Sequence, residues 1–281
     1  SGRQRQGCVE RRFRIGDEGG QRGHTERIQP ASPAVLKPEV SAMTQPYRHW
    51  TVKPHGTLKQ LDENMLTVEG KVRMPLGSFP RRMTVIRLRD RRLVIWSAIA
   101  LDDYQMMRLD AFGRAAFLVV PNDHHRLDAR AWKERYPHLR VVAPAGARAR
   151  IEQVVPVDTT SPDFGDNSVH FMVVPGTLQR EAALVVRNAS GTTLVLNDVI
   201  GNLRTTRSLT GWLLRLAGFA GRSAQIPRVV KLKMVEDEQS LREQLLRWAE
   251  TKSLKRILVS HGDPIEANPR QTLRELAGSL T

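Results

Sequence analysis

The sequence predicts an α/β protein in which helices cover a mixed β-sheet, and three observations support this fold class. First, apolar and polar residues alternate over 83–89 and again over 93–96, on either side of a short polar segment, as in a β-hairpin. Second, a short apolar run at 117–120 is followed by a helical pattern at 128–136. Third, another apolar run follows at 140–143. Hairpins combined with strand–helix units indicate a mixed sheet covered by helices.

The other elements follow from the same kinds of pattern. Asp102 and Asp103 precede an apolar pattern that ends at Gly113, which predicts a helix with an acidic cap and a C-terminal glycine. Leu241 and Leu245 lie one helical turn apart and predict an apolar helix face. The remaining predictions are strands over 169–174, 183–187, 192–196 and 255–260, and helices over 207–219, 239–251 and from Asn268 onward.

Composition restricts the partners and the chemistry. The 281 residues carry a net charge of +15, which favours contact with anions such as nucleic acid, anionic lipid or phosphorylated small molecules. A general preference for arginine over lysine would give the same charge without any anionic partner. The single cysteine, Cys8, excludes an intramolecular disulfide and a cysteine-based zinc cluster. The apolar runs are too short for a transmembrane segment, no secretion signal is evident, and we expect a cytoplasmic location.

The N-terminal residues differ from the rest of the chain. Residues 1–43 are rich in Gly, Arg, Gln and Pro and have no apolar periodicity, so we predict a disordered extension. We predict that residues 44–281 form one folded domain.

Polar side chains follow three of the predicted buried strands. They are the loop 122–128 after Val120, the pair Asn197 and Asp198 after Leu196, and residues 261–263 after Ser260. Strand ends are rigid positions from which loops converge, and imidazole and carboxylate groups are the usual nitrogen and oxygen ligands of zinc, iron and manganese. The sequence therefore predicts a metal site, and its candidate ligands are His124, His125, Asp128, Asp198 and His261. For Asp128, capping of the helix that follows is an alternative role.

The order of these motifs resembles a known family. The chain contains MTVIRLRDRRLVIW, VVPNDHHRLDA, VPGT, VLND and ILVSHG in that order. Over roughly residues 50–281 this resembles the metallo-β-lactamase fold, a four-layer αββα sandwich. In detail the chain is similar to the uncharacterised DUF4336 type, in which a PN..HH element follows the strand and an HG element comes late.

The resemblance implies a metal signature that this chain matches only in part. The family has H-x-H-x-D-H, then a PGH turn, an Asp after a strand and a late HG. Asp198 and His261 match the last two, whereas Thr177 replaces the histidine of the turn.

The first motif has two alignments. Aligned on its aspartate, His124 and Asp128 match, while Arg126 and Ala129 replace histidines. Aligned on the strand end, only His124 matches, and Asn122 replaces the first histidine. Arg126 at a ligand position would place a fixed positive charge beside the metal.

Two functions follow from the resemblance. One is a hydrolase of uncharacterised role whose metal site is reduced to one zinc or other divalent ion, or is lost, and whose substrate is a small anion. The fold also serves thioesterases, phosphodiesterases, nucleases and oxidoreductases, so the substrate stays open. The other is an inactive relative that binds nucleic acid or an anionic membrane surface through the basic segment 199–235, with Arg204, Arg207 and Arg222 as candidate anion-binding residues.

Overall fold

Two main β-sheets form the centre of the protein in a computed structural model, which describes residues 45–74, 77–204, 215, 218, 220–221 and 223–280. The first sheet contains six strands in chain order: β1 (Lys59–Asp62), β2 (Met65–Met74), β3 (Gly77–Arg87), β4 (Arg92–Trp96), β5 (Arg114–Val119) and β6 (Arg140–Val142). The predicted extension over 1–43 and most of the predicted helix over 207–219 lie outside the described residues.

The second sheet contains four strands, and a short parallel pair lies apart from it. The strands are β7 (Val169–Val173), β8 (Ala182–Asn188), β9 (Gly191–Val195), β10 (Leu203–Arg204), β11 (Ala220–Gly221) and β12 (Leu254–Leu258). The order in the four-stranded sheet is β12-β9-β8-β7, and β10 pairs with β11.

The described helices are numbered in chain order. They are α1 (Asp103–Phe112), α2 (Ala129–Arg135), α3 (Arg148–Ile151), α4 (Arg228–Met234), α5 (Glu238–Ala249) and α6 (Pro269–Gly278). None of them is long and apolar enough to cross a lipid bilayer.

Side-chain alternation along the strands creates three apolar layers. In β4, Leu93 and Ile95 belong to a cluster that includes Trp132 of α2. Val94 and Trp96 point to the other face and pack in a cluster with residues of the second sheet. A third cluster lies between the second sheet and helices α5 and α6. Helix, sheet, sheet and helix thus form four layers, which confirms the predicted αββα sandwich.

Parallel pairing brings several strand ends to one edge of the sandwich. Strands β4, β5 and β6 are mutually parallel in the first sheet, and β9 is parallel to β12 in the second. The backbone N–H of Ala182 donates to the carbonyl of Pro121 at 2.9 Å and joins the two sheets at this edge. Residues directly after β4, β5, β9 and β12 can therefore meet.

The predicted hairpin and capped helix are confirmed. Strands β3 and β4 pair antiparallel across the turn. The Asp102 side chain accepts a hydrogen bond from the backbone N–H of Gln105 at 2.8 Å and caps α1. Strand β2 was not predicted, although it pairs with β3 along its whole length.

Candidate metal centre

Three side chains from three strand-end loops converge on one point. They are His125 after β5, Asp198 after β9 and His261 after β12. His261 Nε2 lies 2.9 Å from Asp198 Oδ1, and His125 Nε2 lies 3.1 Å from both Asp198 Oδ1 and His261 Nε2. Each side chain is only 7–8% exposed. We call these three residues the His–Asp–His cluster.

The hydrogen bond on the outer side of His261 determines which of its ring nitrogens can act as a metal ligand. His261 Nδ1 lies 2.7 Å from the carbonyl oxygen of Pro80, which can only accept. Nδ1 therefore carries a proton, and in the neutral ring Nε2 presents a lone pair to the cluster. Asp198 Oδ1 is also an acceptor, so the 2.9 Å approach of these two atoms requires either a proton or a metal cation between them.

A divalent metal satisfies this arrangement. Zinc bonds to histidine nitrogen and carboxylate oxygen are about 2.0–2.2 Å long, so tetrahedral ligand atoms are about 3.3–3.5 Å apart. The observed separations need to widen by only a few tenths of an ångström to fit. Three protein ligands leave one position open, as in catalytic zinc sites, and two histidines with one carboxylate also suit iron(II).

Asn122 supports the cluster through hydrogen bonds to the loop after β5 and to Asp198. Its side-chain oxygen accepts from the backbone N–H groups of His124 and His125 at 2.9 and 3.1 Å. Its Nδ2 donates to Asp198 Oδ2 at 2.8 Å and to Glu181 Oε2 at 2.7 Å. All four hydrogen-bonding positions of this fully buried amide are used, so it fixes both the loop after β5 and the orientation of Asp198.

Glu181 is a second buried carboxyl behind the cluster. Its Oε1 accepts from the backbone N–H of Asp198 at 2.8 Å. Complete burial and the negative charge of Asp198 raise the pKa of Glu181 well above its ordinary value, against the effect of its hydrogen-bond donors. Of the two buried carboxyl groups, Glu181 is therefore the one whose neutral form is favoured.

The members of the cluster itself are shifted toward their ligand forms. Burial lowers the pKa of His125, although Asp198 opposes this, and so favours the neutral imidazole that a metal requires. Burial alone would raise the pKa of Asp198, but the two histidines outweigh it and hold that pKa well below its ordinary value.

His124 and Asp128 do not join the cluster. The His124 side chain is 32% exposed, and its Nε2 lies 3.9 Å from Asp123 Oδ1. Asp128 forms a buried ion pair with Arg81 and accepts from the backbone N–H of Ala100 at 3.1 Å. It stands at the N-cap position of α2, but its side chain does not cap the helix. The structure therefore brings His125, Asp198 and His261 together and leaves His124 and Asp128 outside the cluster, where other contacts hold their side chains.

Thr177 and Arg126, which stand at ligand positions of the family's motif, also lie outside the cluster. The Thr177 hydroxyl donates to the carbonyl of Val174 at 2.6 Å. The Arg126 guanidinium bonds to the carbonyl of Arg150 and to Gln153 Oε1. The sequence suggested that Arg126 would place its positive charge beside the metal. The guanidinium instead bonds to α3 and to the residues just after it.

The basic segment is described only in part. Arg204 lies in β10 with its side chain 90% exposed and its Nε 3.5 Å from Asp263 Oδ2. Arg207 and Arg222 lie outside the described residues.

Sequence reasoning missed several residues that position the cluster. Ser97, at the end of β4, places its Oγ 2.8 Å from His125 Nδ1. Arg82 of β3 donates to the carbonyls of Val259 and Gly262, on either side of His261. Neither residue belongs to a motif, although Ser97 does follow a predicted strand in the same way as the recognised loops.

Solved metallo-β-lactamases share this architecture. The DIM-1 metallo-β-lactamase, solved after exposure to ceftazidime, matches with a TM-score of 0.56 and 12% identity, over 82% of this chain and 100% of that chain. The FIM-1 enzyme from Pseudomonas aeruginosa in its mono-zinc form gives 0.54 and 12%, over 82% and 98%. A metallo-β-lactamase from Hirschia baltica gives 0.52 and 13%, over 80% and 98%. The chain therefore has the metallo-β-lactamase fold.

No family model matches the sequence, and no curated protein matches it. The finer resemblance to the DUF4336 type therefore stays a prediction.

Proposed function

We propose that the protein is a metal-dependent hydrolase with a mononuclear centre held by His125, Asp198 and His261. The observation that carries this proposal is the convergence of three potential ligand atoms within 3.1 Å of one another, in side chains that are more than nine-tenths buried. Among the described residues, no other group of histidine and acidic side chains has this geometry. Within the fold, we place the chain nearest the DUF4336 type.

The residues around the centre have separable roles. A bound divalent ion would supply a positive charge that acidifies water and polarises a carbonyl or phosphoryl oxygen. Asn122 keeps Asp198 in place, and Pro80 orients the ring of His261. The raised pKa of Glu181 and the lowered pKa of Asp198 favour a single negative charge on this buried pair, on the carboxylate that faces the centre.

The substrate we propose is a small anion. Asp123 lies between Asn122 and His124 and accepts from two arginines on one oxygen, Arg150 at 3.0 Å and Arg180 at 2.6 Å. One carboxylate cannot neutralise two guanidinium groups, and the Arg150 side chain remains 62% exposed. Arg180 directly precedes Glu181 in the sequence, so the excess positive charge of Arg150 and Arg180 lies next to a residue of the proposed centre. This charge favours an anionic substrate.

Metal content is the first test. We expect protein purified without added metal to contain about one zinc, iron or manganese ion per chain, and His125→Ala and His261→Ala to lose it. His124→Ala is the matched control, because it removes a neighbouring histidine that lies outside the cluster. A wild-type chain that stays free of metal in excess zinc, iron and manganese would overturn the proposal.

Hydrolysis is the second test. The metal-loaded protein is assayed on carboxylic esters, thioesters and phosphodiesters, each as an anionic compound and its neutral analogue. Turnover of the anionic member that disappears in His261→Ala and persists in His124→Ala would support the proposal. Equal turnover by wild type and His261→Ala would contradict it.

A further inference from the structure

Ser97 adopts an unusual backbone conformation beside the cluster. It has a φ of 53°, in the left-handed region that non-glycine residues rarely occupy, and it is 3% exposed. Its backbone N–H donates to the carbonyl of Val119 at 3.1 Å, which holds it against the end of β5. Residues that keep such a conformation concentrate at functional sites, so the strained backbone of Ser97 indicates a role in the cluster.

The hydroxyl of Ser97 hydrogen-bonds to the outer ring nitrogen of His125. Its Oγ lies 2.8 Å from His125 Nδ1, on the side of the ring opposite Asp198. A hydroxyl can donate or accept, whereas the carbonyl of Pro80 behind His261 can only accept. The outer partner of His261 therefore fixes one tautomer, and the outer partner of His125 permits two.

Both tautomers of His125 have a use in the proposed centre. Without metal, a proton on Nε2 is stabilised by Asp198 Oδ1 and His261 Nε2, each 3.1 Å away, and Ser97 donates to the bare Nδ1. With metal, Nε2 must be bare to act as a ligand, so the proton resides on Nδ1 and needs an acceptor in a buried place.

We propose that Ser97 is the positioning residue that lets His125 exchange tautomers when metal binds, by turning its hydroxyl from donor to acceptor. His125 stays neutral throughout: one proton leaves Nε2 for solvent and one is taken up at Nδ1. His261 keeps its proton on Nδ1 in both states. This inference rests on the proposed metal centre, and it concerns the residue that prepares a ligand.

Histidine tautomers are read directly from the ring nitrogen shifts in long-range ¹H–¹⁵N NMR spectra. For His125 we expect the proton on Nε2 in the metal-free protein and on Nδ1 after loading with zinc. His261 serves as the internal reference and should carry its proton on Nδ1 in both spectra. A proton on Nδ1 of His125 in both states would overturn the tautomer exchange.

Two substitutions separate the hydroxyl from the backbone conformation. Ser97→Ala removes the hydroxyl and keeps the strained φ, whereas Ser97→Gly removes the hydroxyl and relieves the strain. We expect both variants to weaken zinc affinity by about 10–100-fold, the usual effect of losing an outer partner of a ligand. Urea unfolding of the metal-free variants checks that they fold.

The outcomes distinguish this inference from the proposed function. If the wild-type chain binds zinc and both variants bind it equally tightly, the inference is wrong and the metal centre stands. If only Ser97→Gly is weakened, the backbone conformation and not the hydroxyl is responsible, and the inference is again wrong. If the wild-type chain binds no metal, the proposed function itself fails.

Discussion

Asn122 shows how one residue can replace a ligand and still build the site. It stands where the strand-end alignment places the family's first histidine, and its amide joins the loop after β5 to Asp198 and Glu181. The same contacts decide which histidine enters the cluster. Because the amide oxygen accepts from the N–H groups of both His124 and His125, the loop turns tightly here, and His125 faces inward.

At this scale we predict that Asn122→Asp destabilises the metal-free protein. The new carboxylate still accepts from the two backbone N–H groups, but it replaces a donor that serves two other carboxyl groups. We expect a loss of about 2–4 kcal/mol, the cost of leaving buried acceptors without a donor and placing like charges together. Urea unfolding near pH 7 measures it.

A second asparagine provides the control. Asn64 accepts one side-chain hydrogen bond, from Asn188 at 3.0 Å, at a place remote in sequence from the cluster loops. Asn64→Asp should cost less than 1 kcal/mol because one donor–acceptor pair is still available there. Equal stabilities for Asn122→Asp and wild type would mean that the amide does not hold the site.

At the scale of elements, the loop after β12 is shaped by a glycine. Gly262 has a φ of 116°, and a Cβ built there would lie 2.1 Å from the carbonyl oxygen of Asn202. Asn202 donates its N–H to the carbonyl of His261 at 3.0 Å and accepts from the N–H of Asp263 at 3.1 Å. The segment after Asp198 is thereby packed against the loop that supplies His261.

We predict that Gly262→Ala both destabilises the protein and weakens metal binding, since the two segments must separate to admit the methyl group. Gly278→Ala is the matched control: a Cβ at the end of α6 meets nothing within 4 Å, so this change should be neutral or slightly stabilising. Urea unfolding and zinc titration of the two variants give the comparison. Unchanged zinc affinity in Gly262→Ala would show that the loop tolerates the shift.

Local sequence patterns predicted the strands that lead to the site. The remaining site residues depend on strand pairing and on hydrogen bonds between residues far apart in the sequence. Asp198 and His261 could be identified because each follows an apolar run that becomes a largely buried strand. Glu181 could not, because it precedes strand β8, and only the antiparallel pairing of β8 with β9 brings it to the same edge. The choice between His124 and His125 depends on hydrogen bonds to Asn122 that sequence spacing does not reveal.

At the scale of the whole molecule, ion pairs and hydrogen bonds join the two sheets away from the metal centre. Asp62 of β1 binds Arg256 of β12 at 2.9 Å and Lys255 at 3.1 Å. Asp166, just before β7, accepts from the backbone N–H of Arg89 in the turn between β3 and β4 at 2.8 Å. These contacts cross between layers whose interior is apolar, so they fix the register of one sheet on the other.

These carboxylates should make the fold sensitive to acid. Burial opposes ionisation of Asp62, but Ser190, Lys255 and Arg256 outweigh it and lower the pKa of this carboxyl below its ordinary value. The pKa of Asp166 is likewise lowered, since hydrogen bonds from Ser168 and Arg89 outweigh burial. A carboxyl with a lower pKa in the folded state than in the unfolded state stabilises the protein above the unfolded value, and this contribution is lost as the pH falls through the folded value.

We therefore predict that Asp62→Asn lowers the free energy of unfolding at pH 7, and that its difference from wild type shrinks as the pH falls from 5 toward 3. The reason is that protonation of Asp62 in the wild-type chain reproduces the loss of charge that the variant already has. Urea unfolding of metal-free protein across this range measures the difference, and Asp103→Asn, at a fully exposed position, is the control. A difference that stays constant between pH 5 and pH 3 would show that the asparagine acts through packing alone, and the ionised link between β1 and β12 would then not account for the stability of the sandwich.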